Sequence, residues 1–566
     1  MAGKRFIGGS AAFATALLAG TALAASHPIT AAHMGTVHLS ATTNVTSLSQ
    51  QAARTHSLPN LIFAMPVHRL PKAAHHVAPL RSLTSPNITI KAAAAATAAP
   101  GGFIGIDANT NGTAIGGDIE PPDQGLAVAD NYVVEVVNLS FQVFDNKGNP
   151  RTSTIALGSL LGATSADSFG DPHVEFNPTT QRWYIDTYLT NGNFNGFFLA
   201  VSQTSDPTGS YYVYRVDSQS KGVKGCVGAS ACFPDYPQPG YDANAYFIDA
   251  DLFSNLTGAF TTAAIYAIPL APLQTGASFT YQRILANDFV VEPSIPAVAN
   301  KYATGSNGTE YLLTARQIED GSNNLRVYAV TNTAAISTGG TLVANYVDVP
   351  AEAYASTVGS TQPNVVGPYG QSVGATSASP LDGGYNAFGS GVKYLNSNLY
   401  SALTTAAVDG NGLDRNTVAW FNLKPTSNGT SVTASIVSQG YLIPPDGYSI
   451  SYPGLALNAR GAGILGITIT NPNQAVPGGF PSTGYVQFAA GHPTSVYRIT
   501  GQGGTSSDGF TCYAPYGPPC RWGDFSSATV DPVTGIFYVG NEFIPDPSVY
   551  PRDTDANWGT FITEVK

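Results

Sequence analysis

From Gly101 to the C-terminus the sequence repeats one short phrase: a turn or small residue, a brief strand, a hairpin and a second apolar run, laid out seven times. A chain of 566 residues is several times the usual domain size, so it must be several domains or one architecture that grows by repetition. The recurrence selects repetition.

The units open at Pro122-Asp123-Gln124-Gly125, Gly170-Asp171-Pro172-His173, Phe233-Pro234-Asp235-Tyr236, Val291-Glu292-Pro293, near Tyr385 to Phe388, Ser451-Tyr452-Pro453-Gly454 and Arg521-Trp522-Gly523-Asp524. Each continues through strand-forming runs such as YVVEVV, QRWYIDTYL, AYFIDADLF and GIFYVGNEFI. Two hairpins match closely: Asn177-Pro178-Thr179-Thr180-Gln181-Arg182-Trp183-Tyr184 parallels Asp531-Pro532-Val533-Thr534-Gly535-Ile536-Phe537-Tyr538. Unit starts are roughly 50 to 95 residues apart, so insertions belong in the loops between strands.

A twisted four-stranded sheet cannot bury both faces alone, whereas radial packing buries each face against a neighbour. The expected fold is therefore all-β, a single β-propeller over 101–566, most simply with seven blades. Phe103-Ile104-Gly105-Ile106 is expected to pair with the closing strand Phe561 to Val565 and lock the ring. Composition agrees: Gly 60, Pro 39, Tyr 29 and Phe 26 are abundant, while Lys and Glu number about ten each, too few for long exposed helices.

The phrases GDPHVEFNPTTQRWYI, LAVSQTSDPTGSYYVY, FPDYPQPGYDANAYFI, ISYPGLALNARG and RWGDFSSATVDPVTGIFYVGNEFI resemble the repeated phrases of a group of secreted, mostly uncharacterised bacterial β-propeller proteins, over about residues 115 to 566. The resemblance implies a propeller fold and export. It supplies no catalytic residues.

Residues 1–24 have the form of a signal peptide: Lys4 and Arg5, an apolar stretch from Phe6 to Leu23, and the small-x-small ending Ala22-Leu23-Ala24. No other segment could cross a bilayer, so a monomer free outside the cytoplasm, secreted or periplasmic, is expected. Residues 25–100 hold seven of the nine histidines, no Asp or Glu, and the tract Lys91 to Pro100. Lacking apolar alternation, they are expected to be a spacer or propeptide with little fixed structure. The four cysteines fit local disulfides, Cys226 with Cys232 and Cys512 with Cys520, as an oxidising compartment allows.

A formal charge of −11 excludes a basic nucleic-acid footprint. With only 11% charged residues, solubility rests on neutral polar groups, a balance that tolerates acidic surroundings. Two histidines in the repeat region cannot build a multi-histidine metal site. Calcium is the ion that scattered Asp and Asn oxygens suit, although no contiguous calcium loop is present. Gly370-Gln371-Ser372-Val373-Gly374 matches G-x-S-x-G but follows Pro368-Tyr369 rather than a strand, which argues against a nucleophile elbow.

Inner propeller strands begin at one mouth, so residues at equivalent openings converge there. Asp123, Asp171, Asp235, Glu292 and Asp524 occupy or closely precede that position. In catalysis, Asp171 and Asp524, with Asp235 the next candidate, would supply a carboxylate pair for glycoside hydrolysis. Asp123, His173, Glu292, Tyr452, Arg521, Trp522 and Glu542 would bind ligand, Trp522 by stacking and Arg521 by pairing with an anion. A lyase would use Tyr452 or His173 as base with Arg521 neutralising a uronate. The bland alternative is that each Asp caps its own turn. The expected function is binding of an extracellular glycan or protein at the mouth, the alternatives being a carbohydrate-active enzyme or a structural surface protein.

Overall fold

The computed structural model describes residues 25–52, 61–64, 74–83, 86–93, 101–228, 231–297, 308–389, 391–489 and 491–566. The expected signal peptide and most of the Ala-rich tract lie outside them. Among the described residues, no helix is long and apolar enough to cross a membrane.

Among the described residues, strand pairing from Gly102 onward forms seven groups of four, antiparallel within each group, while Gly117–Glu120 pairs apart from them with Leu61–Ala64. Their innermost strands are Gly125–Ala129, Ser168–Asn177, Cys232–Tyr241, Glu292–Pro296, Val392–Leu395, Ser449–Leu457 and Ser527–Val530. The fourth and fifth groups are joined by parallel pairing of Glu292–Pro296 with Val392–Leu395, a ten-stranded sheet in all. In the last group Gly102–Asp107 is the outermost strand, pairing Phe103 with Ile562 and Ile104 with Phe561, as expected for ring closure.

Because side chains alternate across a strand, successive residues serve different neighbours. Trp183 packs with Ala127, Val134 and Phe141 of the first group, whereas the adjacent Tyr184 packs with Tyr246 and Ile248 of the third. Further cores join the third group to the fourth, the fourth to the fifth, the fifth to the sixth and the sixth to the seventh. A last one, with Leu126, Val128 and Val133 against Tyr538 and Ile562, returns to the first. The fold is thus a β-propeller, held by a ring of dry cores in which each buried Val, Leu or Phe contributes about 1.5–3 kcal/mol. The innermost strands touch backbone to side: a Cβ on Gly240 would fall 2.5 Å from Cβ of Pro293, so only glycine fits there.

The two matching hairpins form the same turn. Asn177 Oδ1 accepts the N–H groups of Thr179 and Thr180, Asp531 Oδ1 those of Val533 and Thr534, and each turn ends on a left-handed residue, Gln181 or Gly535. Both expected disulfides are present, Cys226–Cys232 and Cys512–Cys520.

The described part of 25–100 departs from the expectation of little fixed structure. His27–Thr30, Ala32–Val37 and Leu39–Asn44 pair antiparallel with the outermost strands of the fourth, third and second groups. The helix Val45–Ala52 then buries Val45 against the first group. Asn87–Thr89 and Lys91–Ala92 add parallel strands to the fifth and sixth. The segment is a belt. Outer strands present unpaired backbone groups, and an extended polar chain can satisfy them without an apolar face of its own. The added strands are accordingly exposed along most of their length.

Candidate functional site at the channel mouth

The inner strands open through a recurring irregularity. Pairing shifts between Gly170 and His173, Asp235 and Gln238, and Ser451 and Gly454, each a bulge near the start of an inner strand. Asp171 (φ 51°), Tyr236 (φ 55°) and Tyr452 (φ 51°) lie in these bulges in the left-handed region, and Asp123 (φ 40°) and Val290 (φ 49°) take the same conformation just before Gly125–Ala129 and Glu292–Pro296. A left-handed side chain costs on the order of 1 kcal/mol or more, least for Asp and most for β-branched Val. Five such residues around one mouth mark it as a place where geometry is kept at a cost in stability.

Asp123 is the hub. It is 0% exposed, and its carboxylate accepts Asn138 Nδ2 at 2.6 Å and the Asp524 N–H at 2.7 Å. Asn138 reaches both ways: its Oδ1 accepts the Asp171 N–H at 2.9 Å, and its Nδ2 also donates to the Pro121 carbonyl at 2.8 Å. Burial raises the proton affinity of Asp123 above the usual carboxylate range, against the opposing effects of the Asp524 N–H, Arg521, Asn138 and a side-chain hydrogen bond with Asp171.

Around this pair stands one guanidinium. Burial works against the charge of Arg521, and the carboxylates of Asp524, Asp123, Asp382 and Asp171 outweigh it. Tyr188, whose buried hydroxyl has no hydrogen-bond partner among the described residues, is held protonated by burial and then by Asp171, Asp235 and Asp123. Tyr385 is held likewise by burial, Asp524 and Asp382. Asp123, Asp171, Asp235, Asp524 and Arg521 therefore share one electrostatic neighbourhood. Within it Asp123, Asp171 and Asp235 are buried, while Asp524, Arg521, Asp382 and Tyr385 keep partial exposure.

Two long loops cover the mouth. Residues 351–391 and 502–526 are stitched by the Asp382 N–H to the Cys520 carbonyl at 2.8 Å, the Cys520 N–H to the Pro380 carbonyl at 2.9 Å, and Ser379 Oγ to the Cys512 carbonyl at 2.7 Å, beside the Cys512–Cys520 disulfide. What stays open is a hollow of about 20 Å³ bordered by Tyr236, Tyr385, Gly389, Thr404, Tyr452 and Asp524. It has room for about one water.

Several expected roles need correction. Trp522 is 1% exposed and donates Nε1–H to Thr468 Oγ1, so it presents no stacking face. Glu542 is buried, and its Oε2 accepts the Gly523 N–H at 2.7 Å, fixing the loop that carries Arg521 and Asp524. His173 packs on Phe525 at 4.4 Å, and burial pushes its pKa down to about 3, too low for a useful base. Tyr452 donates its hydroxyl to the Asp382 carbonyl at 3.3 Å, and burial holds its proton well above the usual phenol range. Glu292 lies deeper: its Oε1 accepts the N–H groups of Gly391 and Val392, and burial pushes it up to about 7. Ser372 lies in the one-turn helix Pro368–Ser372 and donates to the Tyr369 carbonyl, so it is no strand-end nucleophile.

Among the described residues, no three His, Cys, Asp or Glu side chains stand close enough to hold a metal ion, so the calcium expectation finds no preformed carboxylate set there. Asn138, Tyr188 and Asp382 belong to the site without having been singled out in the sequence, and Tyr385 stands there only as a unit opening. Tyr188 lies mid-strand, where nothing distinguishes it. The Asp382-Gly383-Gly384-Tyr385 turn inside a long loop is the one signal available for the other end.

No protein-family model and no curated protein matches the chain. Among solved structures it is similar to a Trypanosoma rangeli sialidase in complex with the inhibitor DANA, at 9% identity and TM-score 0.31, covering 74% of this chain and 56% of that one. It is similar to phage phi92 endosialidase at 10% identity and TM-score 0.35, covering 82% and 70%. It is also similar to an exo-beta-1,3-galactanase from Clostridium thermocellum at 11% identity and TM-score 0.27, covering 70% and 87%. The chain spans little more than half the length of the sialidase, and none of these activities is carried over to it.

Proposed function

We propose that the protein is a secreted β-propeller that binds an extracellular glycan at the channel mouth. The observation that carries this is the partial exposure of Arg521, Asp524, Asp382 and Tyr385 beside a buried scaffold of Asp123, Asn138 and Asp171, to which Asp524 is tied through its N–H. A guanidinium, carboxylates and a phenol ring set close together offer hydrogen-bond donors, acceptors and an apolar face to a sugar, and a rigid support lowers the entropy cost of binding. The hollow of about 20 Å³ favours a ligand resting on the mouth rather than one engulfed by it. Two disulfides suit an oxidising, extracytoplasmic setting.

One observation favours glycoside hydrolysis as a second reading: burial raises the Asp123 carboxyl, beside Asp171, above the ordinary carboxylate range, the direction a general acid needs. Against it, both carboxylates are buried beneath the exposed residues.

The test is a glycan array probed with the mature protein and with Asp524→Asn and Tyr385→Ala, alongside an assay for released reducing ends. Binding lost in both variants at unchanged melting temperature supports the mouth as a glycan site. Sugar release abolished by Asp171→Asn moves the assignment to hydrolysis. Absence of any glycan signal sinks both.

A further inference from the structure

At the end of the channel opposite the mouth, the two matching hairpin turns flank a cavity of about 390 Å³, to which Pro178 of one turn and Pro532 of the other contribute. That volume lies in the range of small-molecule sites, whereas the mouth hollow does not. Its walls include the apolar side chains of Phe176, Tyr241, Ile295 and Leu457.

Its polar groups are few and unequal. Lys393, on the inner strand Val392–Leu395, lines the cavity with its side chain half-buried, and among the described residues its ammonium makes neither a hydrogen bond nor an ion pair. Arg460 stands exposed at the rim, also without an ion pair among the described residues. Of the two acids on the lining, Asp531 turns a carboxylate oxygen to its own hairpin, accepting Val533 N–H at 2.8 Å and Thr534 N–H at 3.2 Å. The other, Glu175, is shifted upward by burial, with Lys393 opposing. Lys393 acts electrostatically on both Glu175 and Glu292, yet among the described residues it makes a direct ion pair with neither. A half-buried ammonium without a hydrogen bond is costly, and an acceptor group entering from solvent would relieve it.

We infer that this far end of the channel is a second binding site, for a small amphiphilic anion: one carboxylate, sulfonate or phosphate group set against Lys393, with an apolar body along Phe176, Tyr241 and Ile295. A body of roughly ten to twenty non-hydrogen atoms fits the volume, and a bare inorganic anion would leave the walls wet. The site is independent of the glycan reading of the mouth.

The probe is 1-anilinonaphthalene-8-sulfonate, an aromatic sulfonate of suitable size, titrated into the intact protein by fluorescence and calorimetry. One saturable site per chain is expected. Lys393→Met should weaken it at least tenfold, and Ala459→Trp, at an exposed rim position, should block it, both with unchanged melting temperature, while Asp524→Asn at the mouth leaves it unaltered. The inference is overturned by absence of a saturable site, by equal affinity in Lys393→Met and Ala459→Trp, or by loss of binding in Asp524→Asn. Displacement of the probe by inorganic phosphate at equal concentration would overturn the amphiphilic assignment.

Discussion

The Asp123 carboxylate accepts the backbone N–H of Asp524 at 2.7 Å, joining the opening of the first propeller group to that of the last across 401 positions of sequence. Pairing of Gly102–Asp107 with Gly559–Val565 closes the ring at its outer edge, and this bond closes it at the mouth. Asp123→Ala removes the acceptor from two donors, the part-buried Asp524 N–H and the buried Asn138 Nδ2, which keeps its second bond to the Pro121 carbonyl. A buried donor left unpaired costs about 1–3 kcal/mol, so a loss of about 2–5 kcal/mol is expected, read as a lower melting temperature and denaturant midpoint. A variant as stable as the parent would show that the hub is dispensable.

Stability should fall from mildly acidic to neutral pH. Burial pushes Glu120, Glu135 and Glu319 from 4.5 up to about 7 and Asp186 from 3.8 up to about 7, and Glu292 shifts as Glu120 does. A carboxyl whose folded pKa is raised binds more protons folded than unfolded, so its contribution is complete below about pH 4 and is lost as pH rises through about 7. At the other end Asp167, which burial would raise, is brought below its usual range by Arg215 and its other hydrogen-bond donors, and that contribution disappears as pH falls further. Calorimetric melting across pH 3 to 9 should peak near pH 4–5 and drop by about 5 °C toward pH 8. A maximum at neutral pH would contradict the protonated state assigned to these buried acids.

The two disulfides should differ in what they protect. Each closes a short loop, worth about 2–3 kcal/mol by loop entropy. Cys512–Cys520 also holds the carbonyls that receive the Asp382 N–H and Ser379 Oγ, so it keeps Asp382 and Tyr385 over the mouth. The double variant Cys512→Ser, Cys520→Ser is expected to lower the melting temperature and to weaken glycan binding about tenfold. Cys226→Ser, Cys232→Ser should affect melting alone. Equal binding in the two would separate the disulfide from the site.

The propeller and the convergence of Asp123, Asp171, Asp235 and Asp524 were legible in the sequence because each recurs at one place in a repeating phrase, and repetition maps onto a ring. Burial was not legible there. Trp522, Glu542 and His173 have the residue types of a binding site, and only the packing of Thr468, Gly523 and Phe525 against them shows their use inside the fold. Asn138 joins Asp123 to Asp171 from the end of a strand, through contacts that no local pattern encodes. The belt escaped for a related reason: strands such as Leu39–Asn44 bury almost nothing, so the apolar alternation that signals a strand is absent.

That belt carries the last prediction. Ser210–Asp217, Phe279–Ala286 and Val343–Pro350 would be the outer edges of their groups if residues 25–100 were removed, because among the described residues their outer partners are Leu39–Asn44, Ala32–Val37 and His27–Thr30. Exposed edges exchange their amide hydrogens quickly and invite pairing with other chains. A chain beginning at Gly101 should therefore show faster hydrogen exchange in these three strands and a concentration-dependent tendency to associate. The inner strands Gly125–Ala129 and Ser449–Leu457, remote from the belt, should keep their protection and serve as the internal control. Identical exchange in full-length and shortened chains would mean that the belt rests on the propeller without stabilising it, and its pairing would then have to serve some purpose other than edge protection.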